Sequence, residues 1–163
     1  MAKCIVRIDN CGFTKNPALI KSAKYLPADV ATAIENGVFV EIGGLVTGER
    51  EVHKAITPTA TTTNFGIVCT PELIYKETGY NGLDTYENEV GQVLRVGILG
   101  KGDIYSATVE GFDKAPAVGN LVELQAGTKG KVVATATASS TQVGKVIEIE
   151  TVGRFTFYVV EVQ

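Results

Sequence analysis

The stretch Gly37-Val38-Phe39-Val40-Glu41-Ile42 decides the fold class, because its form recurs along the chain. A glycine is followed by any residue, then two apolar residues, a charged residue and a further apolar residue. Glycine permits the bend with which a strand begins, and alternation places the charge on the more solvated face. The same form occurs at Gly91-Gln92-Val93-Leu94-Arg95-Val96, Gly119-Asn120-Leu121-Val122-Glu123-Leu124 and Gly144-Lys145-Val146-Ile147-Glu148-Ile149. The pattern therefore predicts many strands that begin at glycines.

Around these four stretches, runs rich in Val, Ile, Thr, Phe and Tyr predict about ten strands. They cover residues 38–42, 51–56, 66–70, 73–76, 92–99, 103–109, 121–125, 131–136, 143–149 and 155–162. Regular spacing with glycine between strands is typical of a sandwich or small barrel. We therefore expect a mainly β fold, with a small β-barrel or β-sandwich body, an extended N-terminal arm and at most one short helix.

The chain is predicted to have three parts. Residues 1–36 alternate poorly and contain Pro17 and Pro27, so they predict an extended arm. Within this arm a short helix is expected at residues 29–35, capped by Asp29 and ended by Asn36-Gly37. The polar residues 76–90 predict a boundary or a long loop. The expected division is an arm at 1–36, a β-rich lobe at 37–90 and a compact barrel-like lobe at 91–163.

Charge and cysteine content limit the partners and the compartment. The net charge is -3 and the basic residues are dispersed, so neither nucleic acid nor a membrane is expected as a partner. Arg7 and Asp9 interrupt the N-terminal segment before an apolar signal core develops, which predicts synthesis in the cytoplasm. Cys4, Cys11 and Cys69 are then expected to be reduced. The sequence leaves open whether Cys4 and Cys11 pair.

We find no catalytic, cofactor-binding or metal-binding residues in the sequence, and the chain is predicted not to be an enzyme. His53 is the only histidine and lies in an alternating run, where a solvated or interface position is expected. The glycine-lysine pairs lack the spacing of a phosphate-binding loop and predict hairpin turns. Carboxylates at Asp84, Glu87, Glu89 and Asp103 lack the spacing of a calcium loop.

Two features are compatible with protein binding. The threonine-rich residues 57–63 are either an ordinary exposed loop or a segment that lies across another protein's surface. Several tyrosines lie near predicted loops, and tyrosine is enriched in interfaces.

Cys69 follows an apolar run and is expected in the core.

The order of short glycine-containing motifs between residues 36 and 162 resembles small β-rich head proteins of tailed bacteriophages, including capsid decoration or cement proteins. The motifs are Asn36-Gly37, Gly48-Glu49-Arg50-Glu51, Gly91-Gln92-Val93-Leu94-Arg95, Gly102-Asp103-Ile104-Tyr105-Ser106, Val118-Gly119-Asn120-Leu121-Val122, Val143-Gly144-Lys145-Val146-Ile147 and Gly153-Arg154-Phe155. The resemblance implies a virion structural protein without a cofactor. Its partners would be the major capsid protein lattice and neighbouring copies of itself, on the capsid exterior.

Two other classes of protein stay open. One is another phage assembly component, such as a tail or connector subunit, which would form rings or tubes. The other is a ligand-binding or hydrolytic β-domain, which would need a deep pocket lined by His53 and convergent carboxylates.

Overall fold

The computed structural model describes residues 1–73, 75–76, 79–80 and 82–163. In it 42% of the residues lie in strands and 10% in helices, and no described helix has seven residues or more. The strands are β1 (Val6–Asn10), β2 (Ile20–Tyr25), β3 (Phe39–Leu45), β4 (Val52–Ile56), β5 (Phe65–Val68), β6 (Tyr75–Lys76), β7 (Gly79–Tyr80), β8 (Val93–Gly97), β9 (Ile104–Ala107), β10 (Leu121–Gln125), β11 (Gly127–Val133), β12 (Gln142–Val152) and β13 (Phe155–Val162). The predicted mainly β body is confirmed.

The helices are single 3-10 turns. They lie at Gly12–Thr14, Pro17–Leu19, Pro27–Asp29, Leu83–Thr85 and Val109–Gly111. None of these described helices has the length and apolar character needed to cross a membrane. Residue 74 of the predicted strand 73–76, and residues 77, 78 and 81 of the predicted loop 76–90, lie outside the described residues.

Five strands close into a barrel in the order β2-β4-β3-β5-β8. The β2–β4 pair is parallel and the other pairs are antiparallel. Alternation along each strand sends every second side chain inward. The barrel interior is apolar and contains Ala23, Tyr25, Ile34, Val38, Val40, Ile42, Ala55, Val68, Leu94 and Val96.

A six-stranded antiparallel sheet has the order β1-β9-β13-β12-β10-β11. One face of this sheet packs against the outside of the barrel. Phe39 and Ile67 lie in barrel strands but point outward, because their neighbours Val40 and Val68 point inward. The Phe39 ring meets the Tyr105 ring edge-on at 6.2 Å between centroids. The two sheets therefore share one core and form a sandwich-like body.

The expectation of an extended N-terminal arm is corrected by the positions of β1 and β2. β1 pairs with β9 in the six-stranded sheet, and β2 lies between β4 and β8 in the barrel. Phe13, between these strands, is fully buried, and a Cβ added at Gly97 would lie 2.5 Å from its ring. The first 36 residues are thus part of both sheets, and apolar residues among them, such as Ile5, Phe13, Ala23 and Ile34, are buried in the core.

The helix predicted at residues 29–35 is wrong. The chain makes a 3-10 turn at Pro27–Asp29, in which Ala28 and Asp29 have positive φ of 50° and 61°. Val30 after it is extended, and Ile34 forms a bridge with Asn88. Left-handed backbone in two successive non-glycine residues is incompatible with an α-helix that begins there.

The predicted division into lobes at residues 90 and 91 also needs correction. β8 follows that boundary but belongs to the barrel, and β1 precedes the barrel but belongs to the six-stranded sheet. The barrel therefore uses residues 20–97, whereas the six-stranded sheet uses residues 6–10 and 104–162. The chain passes from the six-stranded sheet to the barrel after β1 and returns to the six-stranded sheet after β8. No single position in the sequence therefore separates the two sheets.

Candidate protein-binding surface

His53 lies in β4 and is half-buried, with Nδ1 3.1 Å from the carbonyl oxygen of Gly43. A cavity of about 320 Å³ lies beside the N-terminus and the β12–β13 turn, and its lining includes Lys3, Asp84 and Arg154 but not His53. The structure therefore does not bring His53 to the charged residues of this cavity.

The predicted acidic residues serve separate contacts. Asp84 accepts from Arg154 at 3.0 Å, and Glu87 accepts from Lys3 at 2.7 Å. Asp103 instead accepts from backbone N–H groups of Gly12 and Gly100, both at 2.8 Å. No group of three or more His, Cys, Asp or Glu in the described part of the chain is arranged to hold a metal ion.

The three cysteines are free and buried. Burial raises the pKa of the Cys4 thiol and of the Cys11 thiol to about 12, and that of Cys69 to about 11. A thiol that stays protonated is a poor nucleophile. The expected core position of Cys69 is confirmed, and the three thiols contribute to packing.

The threonine-rich residues 57–63 link the two sheets. Thr62 is buried and its hydroxyl donates to Glu41 at 2.7 Å, within the barrel. The carbonyl oxygen of Ala60 accepts from Thr141 N–H at 2.7 Å, next to β12 of the other sheet. This segment therefore contacts other parts of the same molecule, and its amino-acid composition does not predict these contacts.

The end of the β12–β13 hairpin extends beyond the six-stranded sheet. On one side, the last contacts of β12 with β10 and the loop before it are made by Lys145 and Val146. On the other side, the pairing of β13 with β9 stops at Tyr158. Residues 147–157 therefore form a two-stranded ribbon, which we call the ribbon. Gly153, with φ of 61°, is the first of two turn residues, where a type II′ turn requires positive φ.

The ribbon has a free edge along β12. Val152 and Phe155 form a hydrogen-bonded pair across a two-residue turn. Hydrogen-bonded pairs alternate with non-bonded ones along an antiparallel ladder, so the next β12 residues that bond to β13 are Glu150 and Glu148. The backbone groups of Ile149 and Thr151 consequently point away from β13. Among the described residues, the only partner of these groups is the Glu148 carboxylate, which accepts from Ile149 N–H at 3.0 Å.

Apolar side chains accompany these backbone groups. Ile147, Ile149 and Val152 are 37%, 38% and 51% exposed. An edge strand with unpaired backbone groups and apolar side chains is a template for pairing with another chain. The sequence predicts the two strands but not the missing neighbour, because that neighbour is missing only since β10 begins at Leu121, opposite Lys145.

Contacts at its base and at its turn hold the ribbon in place. Arg7 lies 5.4 Å from the Phe157 ring centroid and donates to Glu150 at 3.3 Å. Arg154 lies 4.9 Å from the Phe155 ring centroid and donates to Asp84 at 3.0 Å. Exposed ion pairs contribute little free energy each, but together with ring stacking they limit the ribbon's orientations.

The fold and this surface define a mainly β protein of two packed sheets, with a projecting edge along β12 that has no neighbouring strand among the described residues. No family model, no curated protein and no solved structure matches the chain. The function of the chain therefore has to be inferred from the chemistry of the surface and from the motifs in the sequence.

Proposed function

We propose that this protein is a virion structural protein that binds the outer surface of a tailed-phage capsid lattice and reinforces it. The observation that supports protein binding is the free edge of the ribbon, with its outward backbone groups and exposed apolar side chains. The choice of a capsid as the partner rests on the resemblance of the glycine-containing motifs. No catalytic step is part of the proposal.

The body is suited to a load-bearing role because its parts are tied together. β1 and β2 connect the two sheets, and residues 57–63 connect them again through the Ala60–Thr141 hydrogen bond. A preorganised binding element loses less conformational entropy on binding than a disordered one. Many copies on a symmetric lattice would then add weak contacts into a stable assembly.

The direct test is the composition of virus particles purified from cells that make this chain. We expect the chain in intact particles at a fixed ratio to the major capsid protein, and in emptied capsids as well as full ones. Its absence from washed particles would contradict the proposal. As a control, a non-structural protein of the same lysate should be removed by the same washes.

The alternatives give different results in the same experiment. A tail or connector subunit would remain with isolated tails and be absent from tail-free capsids. A ligand-binding or hydrolytic β-domain would be absent from both fractions. The capsid proposal therefore requires recovery with tail-free capsids.

A further inference from the structure

The ribbon edge has two chemically different faces. Glu148, Glu150 and Val152 lie on the face opposite the shared core, since Glu150 is paired with Phe157 and contacts Arg7 there. Ile149 lies on the other face, paired with Tyr158, whose ring packs against Phe112 of the core. A strand added along this edge would therefore meet two carboxylates on one face and an apolar residue on the other.

The face with the carboxylates is acidic. On β1, β12 and β13 it carries four carboxylates and two cations: Asp9, Glu148, Glu150 and Glu161, with Arg7 and Lys145. Arg7 is already bound to Glu150, and Lys145 is directly opposite Glu161 across the strand pair. Glu148 has no cation within ion-pairing distance among the described residues. Charge complementarity therefore favours a basic strand.

Charge also argues against a second copy of this chain at the edge. Two copies would pair antiparallel about a two-fold axis. Registers centred on Glu148 or Glu150 place that residue opposite itself, and the register centred on Ile149 places Glu148 opposite Glu150 twice. The register centred on Thr151 pairs only residues 150–152 of each copy before the turn at Gly153 interrupts the strand. Like charges directly opposite each other destabilise a strand pair.

We propose that the free edge of β12, at residues 147–152, accepts a β-strand from a protein partner whose lysine or arginine side chains alternate and face Glu148 and Glu150. Main-chain hydrogen bonds to Ile149 and Thr151 supply the pairing, the Ile149 N–H exchanging its bond to the Glu148 carboxylate for one to the added strand. The alternating side chains supply the specificity. The inference rests on the proposed function only in taking the partner to be a protein of the capsid surface.

The test uses the full chain and two synthetic peptides of about ten residues. One peptide alternates lysine with threonine, and the other has glutamate in place of lysine. The measurement is the shift of backbone amide NMR signals during titration. We expect the basic peptide to shift the amide signals of Ile149 and Thr151, and the acidic peptide to leave them unchanged. Equal responses to both peptides would overturn the proposal.

Two variants and their controls test the contacts separately. I149P removes an N–H that does not bond to β13, and we expect about tenfold weaker binding of the basic peptide, whereas I149V retains binding. E148K should weaken binding by about tenfold, whereas E51K, an equal charge change at an exposed residue just before β4, should not. Urea unfolding verifies that each variant is folded. If I149P does not fold, E148K decides, and unchanged binding by E148K refutes the proposal.

The two proposals fail in different ways. Chain found in particles together with no response to the basic peptide would reject the strand-accepting edge and leave the capsid role. A specific response to the basic peptide together with absence from particles would reject the capsid role and leave the edge.

Discussion

Gly144 lies inside β12, where the strand runs close to the backbone of β13. A Cβ at this position would collide with the carbonyl group of Glu161, whose carbon lies 2.8 Å away. The glycine-lysine pair at 144–145 was predicted as a hairpin turn, and that prediction is wrong because this glycine serves close packing of strands. The pair Gly130-Lys131 likewise lies within a strand, whereas Gly100-Lys101-Gly102 does form a turn.

Replacing Gly144 with alanine should therefore destabilise the fold. We expect G144A to lower the free energy of unfolding by about 1–3 kcal/mol, the usual cost of forcing extra atoms into a packed region. The measurement is urea unfolding followed by circular dichroism. G44A is the control, because Gly44 is also in a strand but an added Cβ there meets no atom within 4 Å. Equal stability of G144A and G44A would contradict the close approach of the two strands.

The buried thiol of Cys4 makes stability depend on pH. Burial raises its pKa from 9.0 to about 12 in the folded protein. Below pH 9 both states hold the proton and this contribution to stability is complete. Between pH 9 and 12 the unfolded thiol ionises while the folded one does not, so stability falls by about 1.4 kcal/mol per pH unit.

The variant C4A lacks this group, so its unfolding free energy should fall less steeply than that of the natural sequence. Urea unfolding at several pH values between 8 and 11 measures the two slopes. The absolute stability of C4A will also change because a buried sulfur is lost, but that change does not depend on pH. Parallel slopes would mean that Cys4 is not buried in the folded state.

Glu123 shows where the repeated glycine pattern gave a wrong prediction at one residue. The pattern places its charged position on a solvated face, and Glu41 and Arg95 are indeed partly exposed there. Glu123 is fully buried, with Thr137 N–H donating to its Oε1 at 2.6 Å. Thr137 belongs to the connection between β11 and β12. Alternation along a strand determines on which face of the sheet a side chain lies. It does not predict whether a segment distant in sequence covers that face and buries the side chain.

At the level of elements, we expect removal of the N-terminal strands to have the largest effect on the stability of the fold. Deleting residues 1–24 removes β1 and most of β2, and β2 is needed to close the barrel. It also removes Phe13, whose loss alone would cost about 3–5 kcal/mol. We therefore expect the deleted chain to be unfolded, as judged by circular dichroism and by loss of a thermal transition.

A shorter deletion provides the control for this prediction. Met1 and Ala2 are exposed and precede β1, so removing them should leave the thermal transition nearly unchanged. A chain that lacks residues 1–24 and still unfolds cooperatively at the original temperature would restore the interpretation of these residues as an arm.

Elements with strong alternation could be predicted from the sequence, and weakly patterned ones could not. Each of the nine predicted strands whose residues are all described overlaps an observed strand, because Val, Ile and aromatic residues repeat at every second position. The sequence does not predict β2 because its inward positions include the small Ala23 and the charged Lys21, which is paired with the inward Val96, so the apolar alternation is weak. The short helix was predicted from capping residues, but the positive φ of Ala28 has no signal in the sequence.

At the scale of the whole molecule, the arrangement separates a packed interior from one projecting edge. The two sheets share a core through Phe39, Ile67 and Tyr105. The edge strand β11 is bonded by the segment before β10, where Asp113 N–H donates to the Gly130 carbonyl oxygen at 2.9 Å. The ribbon is different, because β10 ends before it and β9 does not reach it. The two ribbon strands can be predicted from the sequence. The exposed edge cannot, because it exists only where the neighbouring strands are shorter than β12.

The central claim is that this edge meets another protein on a capsid surface. An electron cryomicroscopy reconstruction of particles that contain the chain tests it most directly. We predict density for the two-sheet body on the outside of the capsid, with residues 147–152 continuous with a strand of the capsid protein. Density for the body on the capsid with the ribbon edge facing solvent would contradict the claim.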